Sequence, residues 1–399
     1  MQDKIRPGYK QTEVGVIPED WGVAPIVEVA SITTGSRNTQ DRVETGVYPF
    51  FVRSQTIERI NSYAFDGEAV LTAGDGVGTG KVFHYINGKF DLHQRVYQIS
   101  NFSNRLNGFF FYVYFSNRFF DRIMSMTAKS SVDSVRREMI ADMLMPLPPP
   151  TEQRAIAEAL SDADALIAVL EAMIAKKRDL KQAAMQHLLT GKTRLPGFSR
   201  EWKPRSLGSV SAFITKGATP TTYGFGWQNH GILFLRSECV SVNGLDLSQS
   251  MFISDEAHKV LKRGEVCSGD LLITITGNVG RVVWLAEDFG IANINQHIAR
   301  IRIVSEHAAA GYVFHQLSQP EYLKYFNSIV TGQAYPQISL RQVRDTEVLF
   351  PTLAEQTAIA EVLSDMDADL TALEARVAKA RAVKQGMMQE LLTGKVRLI

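Results

Sequence analysis

Residues 151–192 and 354–395 of this chain are near-copies of one another. The first reads TEQRAIAEALSDADALIAVLEAMIAKKRDLKQAAMQHLLTGK and the second AEQTAIAEVLSDMDADLTALEARVAKARAVKQGMMQELLTGK. One constant offset carries Glu152 onto Glu355, Leu160-Ser161-Asp162 onto Leu363-Ser364-Asp365, and Leu188 onto Leu391. A repeat of this length implies two equivalent structural units and a two-fold logic to the fold.

Fainter matches precede each copy. Phe51-Val52-Arg53-Ser54 resembles Phe234-Leu235-Arg236-Ser237, and His93-Gln94-Arg95 falls on Asn295-Gln296-His297. Gly76-Val77-Gly78 falls on Asn278-Val279-Gly280, and Asp20-Trp21 on Glu201-Trp202. The expected order is a variable domain over 1–150, a helix over 151–192, a second variable domain over 193–350 and a second helix over 351–399.

The repeated segments carry apolar residues at alternating steps of four and three: Ile156, Leu160, Ala163, Ile167, Leu170 and Ile174 in one copy, and Ile359, Leu363, Met366, Leu370, Leu373, Val377 and Ala380 in the other. That is the a/d stripe of a coiled-coil seam. Prolines at 148–150 and 351 suit helix starts, and Gly191 and Gly394 suit helix ends. Each helix should run ~40 residues, or roughly 60 Å. At Lys177, Lys181 and Lys384 the stripe turns charged, which suggests a different neighbour there. If each variable domain returns the chain near its point of entry, the two helices pair antiparallel and hold two globular domains apart.

The variable domains read as mixed α/β. Short β-branched and aromatic runs (48–52, 82–86 and 96–99; 232–235, 271–275 and 298–304) are cut by Gly and Asn turns. A helix follows in each, over 107–125 and over 308–326. The fold class is therefore two α/β (mixed α+β) recognition domains separated by a pair of long antiparallel coiled-coil helices, with a pseudo-two-fold internal repeat.

Several chemistries fail on spacing. The glycine-rich run Thr72 to Lys81 misses both the Walker and the dinucleotide patterns, so it reads as a strand-to-strand turn. Leu147-Pro148-Pro149-Pro150 lacks the Asn or Asp that leads an adenine-methyltransferase motif. The histidines lack zinc spacing, Cys239 and Cys267 are too few for a disulfide framework, and no catalytic constellation stands out. No apolar run reaches the ~20 residues of a membrane span, so a cytoplasmic protein is expected. A net charge of +1 argues against non-specific coating of nucleic acid.

Two variable domains, each followed by a Glu-Gln-x-x-Ile-Ala helix ending Leu-Leu-Thr-Gly-Lys, resemble the specificity (S) subunit of type I restriction–modification systems; the opening Tyr9 to Trp21 also resembles that family's start. The resemblance spans essentially the whole chain. It implies a non-catalytic subunit whose two target-recognition domains each read one half of an asymmetric, bipartite site on double-stranded DNA. The helix pair would set the gap and dock two methyltransferase subunits for N6-adenine methylation, with two restriction subunits for cleavage. No cofactor is expected on this chain; S-adenosylmethionine, ATP and magnesium would belong to the partner subunits. The competing reading is a two-headed coiled-coil scaffold for protein interactions, without DNA specificity.

Candidate DNA contacts are polar loop residues at matched positions: Arg53, Ser54, Gly76, Gln94, Arg95, Lys129, Ser130 and Ser131 in the first domain; Lys216, Arg236, Ser237, Asn278, Arg281, Gln296, His297, Gln333, Tyr335 and Gln337 in the second. Arg and Lys can bond guanine edges, Asn and Gln adenine edges, and Ser or Gly backbone can hold phosphate. Arg154, Glu158 and Glu361, on the outer helix faces, are candidates for partner docking. The aromatic run Phe109 to Phe115 reads as core rather than a base-stacking platform.

Overall fold

A computed structural model describes residues 5–126, 134–285, 289–332 and 335–398. They form two compact units, residues 1–171 with 376–399, and residues 172–375. Each unit thus takes one variable domain together with a stretch of each long helix.

In the first unit one six-stranded sheet is built from β1 (Ser31–Thr34), β2 (Tyr48–Phe51), β3 (Ile57–Ile60), β4 (Phe65–Ala73), β5 (Phe83–Leu92) and β6 (Val96–Ser100). Their order is β1-β6-β4-β5-β2-β3, antiparallel except for the parallel pair β2 and β5. The second unit holds β7 (Ser211–Lys216), β8 (Ile232–Leu235), β9 (Met251–Ile253), β10 (Glu265–Cys267), β11 (Leu271–Thr274), β12 (Val282–Trp284), β13 (Ile291–Ile294) and β14 (Ile298–Ile303). They make two four-stranded sheets, β7-β14-β11-β12 and β9-β8-β13-β10.

The two arrangements are one topology. β10 and β11 together replace β4, β12 and β13 replace β5, and the parallel pair recurs as β8 with β13. Between β10 and β11 stands Asp270, fully buried. Its carboxylate accepts from Arg302 Nε and Nη2, both at 2.7 Å, and from the Cys267 amide at 3.0 Å. The break is a turn, in which the Asp270 amide donates to the Cys267 carbonyl at 3.1 Å and Gly269 takes φ +86°; the carboxylate bonds brace this turn where one long sheet becomes two.

Helix α1 (Gly108–Ser125) starts at Asn107, whose Oδ1 accepts from the Phe110 amide at 2.8 Å. Phe110, Phe111, Phe115 and Phe119 have no exposed surface, and Phe115 stacks on Phe119 at 4.4 Å. The aromatic run is core. Its counterpart in the second unit is two helices, α3 (Ala310–Leu317) and α4 (Pro320–Ser328), rather than the single one expected over 308–326. Pro320 lacks an amide hydrogen and drives Gln319 to φ −67°, ψ 145°, which ends α3 before it.

The long helices are α2 (Pro150–Leu188) and α5 (Leu353–Leu391). In the first unit Ile156 and Leu160 are fully buried in the core; Ile359 and Leu363 do the same in the second. Lys177, Lys181 and Lys384 do not turn to a different neighbour, as their charge suggested. In the first unit Lys384 bonds Asp164 and Arg381 bonds Glu171, both at 2.5 Å. The same pairs recur in the second, Lys181 with Asp367 and Arg178 with Glu374, joined there by Lys177 with Asp369. Early residues of one helix meet late residues of the other, so the segments run antiparallel within each unit. Acid faced by base in this register also resists slippage of the seam.

The repeated Glu-Gln dipeptide fixes each helix start. Glu152, 1 % exposed, accepts from Arg397 Nε and Nη2 at 2.7 and 2.8 Å and from the Trp21 indole at 3.0 Å. Arg397 also bonds Asp20, lies 5.8 Å from the Trp21 ring, and through its hydrogen bond holds the Asp20 carboxyl below its ordinary value. In the second unit Arg194 bonds Glu355 at 2.5 and 2.6 Å and lies 5.5 Å from the Trp202 ring. The neighbouring glutamines close the helix starts: Gln153 Oε1 accepts from the Asn107 amide at 2.8 Å, and Gln356 Oε1 from the Ala309 amide at 3.0 Å.

Glu152→Ala leaves Arg397 and Trp21 without their shared acceptor, and the loss of one partner from a buried pair costs about 3 kcal/mol. Chemical unfolding should show that loss, with Glu152→Gln losing less. Lys384→Glu places like charges opposite Asp164 and should lower Tm; adding Asp164→Lys should recover it, by about 0.2–1 kcal/mol for an exposed pair.

Candidate nucleic-acid interface

Strand order gathers the candidate loops. In the first unit β2 and β5 run parallel, with Phe51 beside Leu92, so Val52–Ser54 and His93–Arg95 leave the sheet at one end. Ala73 faces Val96 and Thr34 faces Tyr97, which brings the segments after β4 and β1 to that same end. In the second unit Leu235 beside Ile294, Thr274 beside Ile298 and Lys216 beside Ala299 do the same. Residues far apart in sequence share one edge.

The edge leaves no room for a side chain where it turns. A Cβ on Gly35 would lie 2.0 Å from the Leu92 carbonyl oxygen, and one on Gly217 would lie 1.7 Å from that of Ile294. These two glycines occupy the same place in the two units.

In the first unit Arg53 Nη1 donates to Asp75 Oδ1 at 2.8 Å, and Arg95 Nε approaches the other Asp75 oxygen at 3.6 Å. Gly76, at φ +79°, turns the chain immediately after the acid. Gln94 Nε2 donates to Asn38 Oδ1 at 2.6 Å. Beside them Arg37 donates to the fully buried Asp91 at 3.2 Å and to Ser62. His93 accepts the Arg95 amide on Nδ1; burial, then the Arg53 guanidinium, hold this imidazole below its ordinary pKa, so it is neutral at neutral pH. The Ser54 carbonyl meets His84 Nε2 at 3.1 Å, while its hydroxyl turns to Thr56.

The second unit fills the same places differently. Arg236 gives Nε and Nη2 to the Gln249 carbonyl, both at 3.1 Å, and Ser237 donates to Glu238. Gln296 accepts from the Thr219 hydroxyl and meets His297 Nε2 at 3.0 Å. The Asn278 carbonyl takes the Thr274 hydroxyl, and the Arg281 amide donates to that hydroxyl at 3.0 Å. Gln337 pairs by backbone with both Thr276 and Thr331, and Tyr335 beside it is 77 % exposed. Lys216 closes β7 at the same edge.

Backbone bonds fix the correspondence. The Gly74 amide donates to the Arg95 carbonyl and the Ile275 amide to that of His297, each at 2.8 Å. Asp75 bridges Ser134 as Thr276 bridges Gln337. The glycine packed beneath a helix is Gly80 against Ile123 in one unit and Gly280 against Phe326 in the other, so Gly280 answers to Gly80 and not to Gly78.

Lys129, Ser130, Ser131 and Gln333 lie outside the described residues. Arg154 and Glu158 lie away from the loops, exposed on α2, where they line a shallow groove with Tyr85, Asn107 and Phe109. Glu361 is exposed at the matching turn of α5. Arg37, Asn38, Asp75 and Thr219 join the edge without any sequence motif; only the pairing of positions between repeats would single out Asp75 against Thr276. Among the described residues no three His, Cys, Asp or Glu side chains form a group that could hold a metal, and no helix is long and apolar enough to cross a membrane.

The family model described as the type I restriction modification DNA specificity domain matches residues 18–176 and 199–380. The Methanocaldococcus jannaschii type I restriction enzyme MjaVIII specificity subunit is 22 % identical over 100 % of this chain and 98 % of its own length. The Escherichia coli EcoDI specificity subunit is 29 % identical over 48 % of this chain, and that match covers 42 % of the E. coli protein, less than half its length. In fold, the crystal structure of a type I restriction–modification S subunit from M. genitalium superposes with a TM-score of 0.67 at 14 % identity, covering 93 % of this chain and 96 % of that one.

Gly35→Ala should distort the loop edge of the first unit alone, and Gly217→Ala that of the second. Each forces a methyl group into a backbone carbonyl, at a cost on the order of 3 kcal/mol. Amide hydrogen exchange should show the loss of protection confined to the altered unit.

Proposed function

The chain belongs to the type I restriction–modification DNA specificity family, and on that premise we propose that each unit reads one half of a bipartite DNA site through the loop edge of its sheet. The observation that carries this reading is equal backbone placement with unlike chemistry. Asp75 and Arg95 stand in one unit where Thr276 and His297 stand in the other, and Arg53 stands where Ser237 does, since the His93 amide donates to the Phe51 carbonyl as the Asn295 amide does to that of Leu235. Two readers of this kind call for two different half-sites, and therefore an asymmetric target.

Arg53, Arg95, Arg236 and Lys216 suit guanine edges and phosphates; Gln94, Gln296 and Gln337 suit adenine edges. Asn278, Arg281, His297, Tyr335, Gly76, Ser54 and Ser237 would add base, sugar or phosphate contacts along the edges. In this reading α2 and α5, each shared by both units, set the unread gap between half-sites. Half-sites read from one face of a duplex are spaced by about one helical turn, 10–10.5 base pairs. Methyltransferase subunits would dock on outer helix faces such as those of Arg154, Glu158 and Glu361, with restriction subunits joining for cleavage. S-adenosylmethionine, ATP and magnesium would serve those partners, and adenine methylation in a duplex needs the base flipped from the stack.

Exchange of residues 1–150 for the matching domain of another family member tests the division of labour. In cells supplying the methyltransferase subunit, the pattern of methylated adenines should change in one half-site and keep the other; a change in both halves contradicts it. Insertion of four residues into α2 and α5 together, ~6 Å of helix at 1.5 Å per residue, should alter the gap while both half-sites persist.

A further inference from the structure

We propose that Asp75 is a specificity-determining residue of the first unit, which turns Arg53 and Arg95 from phosphate binders into readers of a guanine; the proposal rests on the reading of this loop edge as a DNA contact. An arginine at an exposed loop has no inherent preference for a base. Phosphate oxygens attract it as strongly, whatever the sequence, and such contacts make binding salt-dependent without making it selective. What favours a guanine is a guanidinium held in one orientation, with two donors aimed at O6 and N7.

Asp75 supplies that hold. Asp75 Oδ1 accepts a hydrogen bond from Arg53 Nη1 at 2.8 Å, which orients that guanidinium, while Arg95 Nε lies 3.6 Å from Oδ2, beyond hydrogen-bond distance, and is kept beside it by charge. The guanidiniums remain accessible, with side chains 44 % and 65 % exposed. Among the described residues neither has another acid or acceptor, so the remaining N–H groups are available to a ligand. The Asp75 backbone is itself fixed, by its bridge to Ser134 and by the Val135 amide donating to the Gly74 carbonyl at 2.7 Å.

The carboxylate also acts by charge. Between two arginines it lowers the positive potential that draws in phosphate, and it repels phosphate directly, while its own lone pairs can accept from a cytosine amino group. Arg53, Asp75 and Arg95 thus match the edge of a G·C pair better than they match a backbone. The second unit has Thr276 at this position and Ser237 in the place of Arg53, while the neighbouring Arg236 bonds the Gln249 carbonyl. Among the described residues of the two loop edges, an acid faces arginines in the first unit and not in the second.

The test uses the full chain assembled with its methyltransferase subunits. Its probes are duplexes carrying the site found by methylated-adenine profiling, each base pair of both half-sites changed in turn, together with a mixed-sequence duplex. Asp75→Asn should reduce discrimination at a G·C pair of one half-site by roughly tenfold. It should also bind the mixed-sequence duplex more tightly, with a steeper dependence on salt, and leave the other half-site unchanged. Asp75→Glu, which keeps the charge, should retain the G·C preference. If Arg53→Ala or Arg95→Ala weakens that half-site while Asp75→Asn leaves it intact, the role given to Asp75 is wrong and the DNA contact stands. If all three variants leave both half-sites intact, the loop edge is not a DNA contact. Loss of both half-sites together in Asp75→Asn would show a damaged fold and overturn the proposal, since the second unit reports independently.

Discussion

A buried glutamate at the start of each long helix ties the repeat to its variable domain. Glu152 gathers Arg397 and the Trp21 indole, and Glu355 gathers Arg194. In the first unit this bond joins the last residues of the chain to residues before and after the first sheet. In the second, the residues just after α2 are joined to the first turn of α5. The same dipeptide therefore performs the same closure twice, once across the chain's two ends. The adjacent glutamines fix the approach of α1 and α3 to those helix starts. With the helix starts fixed, the sheet ends follow.

Above that common base the units diverge where divergence is useful. Strand order, the parallel pair and the backbone bonds of the loop edge are shared. The side chains projected from that edge are not: an acid flanked by two arginines on one side, and a threonine–glutamine–histidine chain on the other. Conserving a frame while changing its loops is how a recognition scaffold alters what it reads without refolding.

Much of this was legible in the sequence because it is written in local periodicity and in repetition. The a/d stripe located both helices, and the match of Arg95 with His297 holds in the backbone bonds. Where a feature depends on side chains distant in sequence, the pattern is silent. The turn that breaks the second sheet is braced by Asp270 and by Arg302, 32 residues on. Arg53, Asp75 and Arg95 meet because β2 runs parallel to β5 and the end of β4 pairs with the start of β6. The charged turn of the seam suggested another neighbour, since periodicity marks which residues share a face and not which acids stand opposite. Pro320 divides the second unit's counterpart of α1 into two helices, a break that the likeness of 308–326 to 107–125 conceals.

The central claim is that two unlike readers in one chain impose a divided, asymmetric target. Its most direct test is the genome-wide map of methylated adenines in cells carrying this chain with its methyltransferase subunit. The account predicts two short, unlike sequences separated by a gap of fixed length, with one methylated adenine in each. A single uninterrupted motif, a palindrome, or methylation without sequence preference would contradict it.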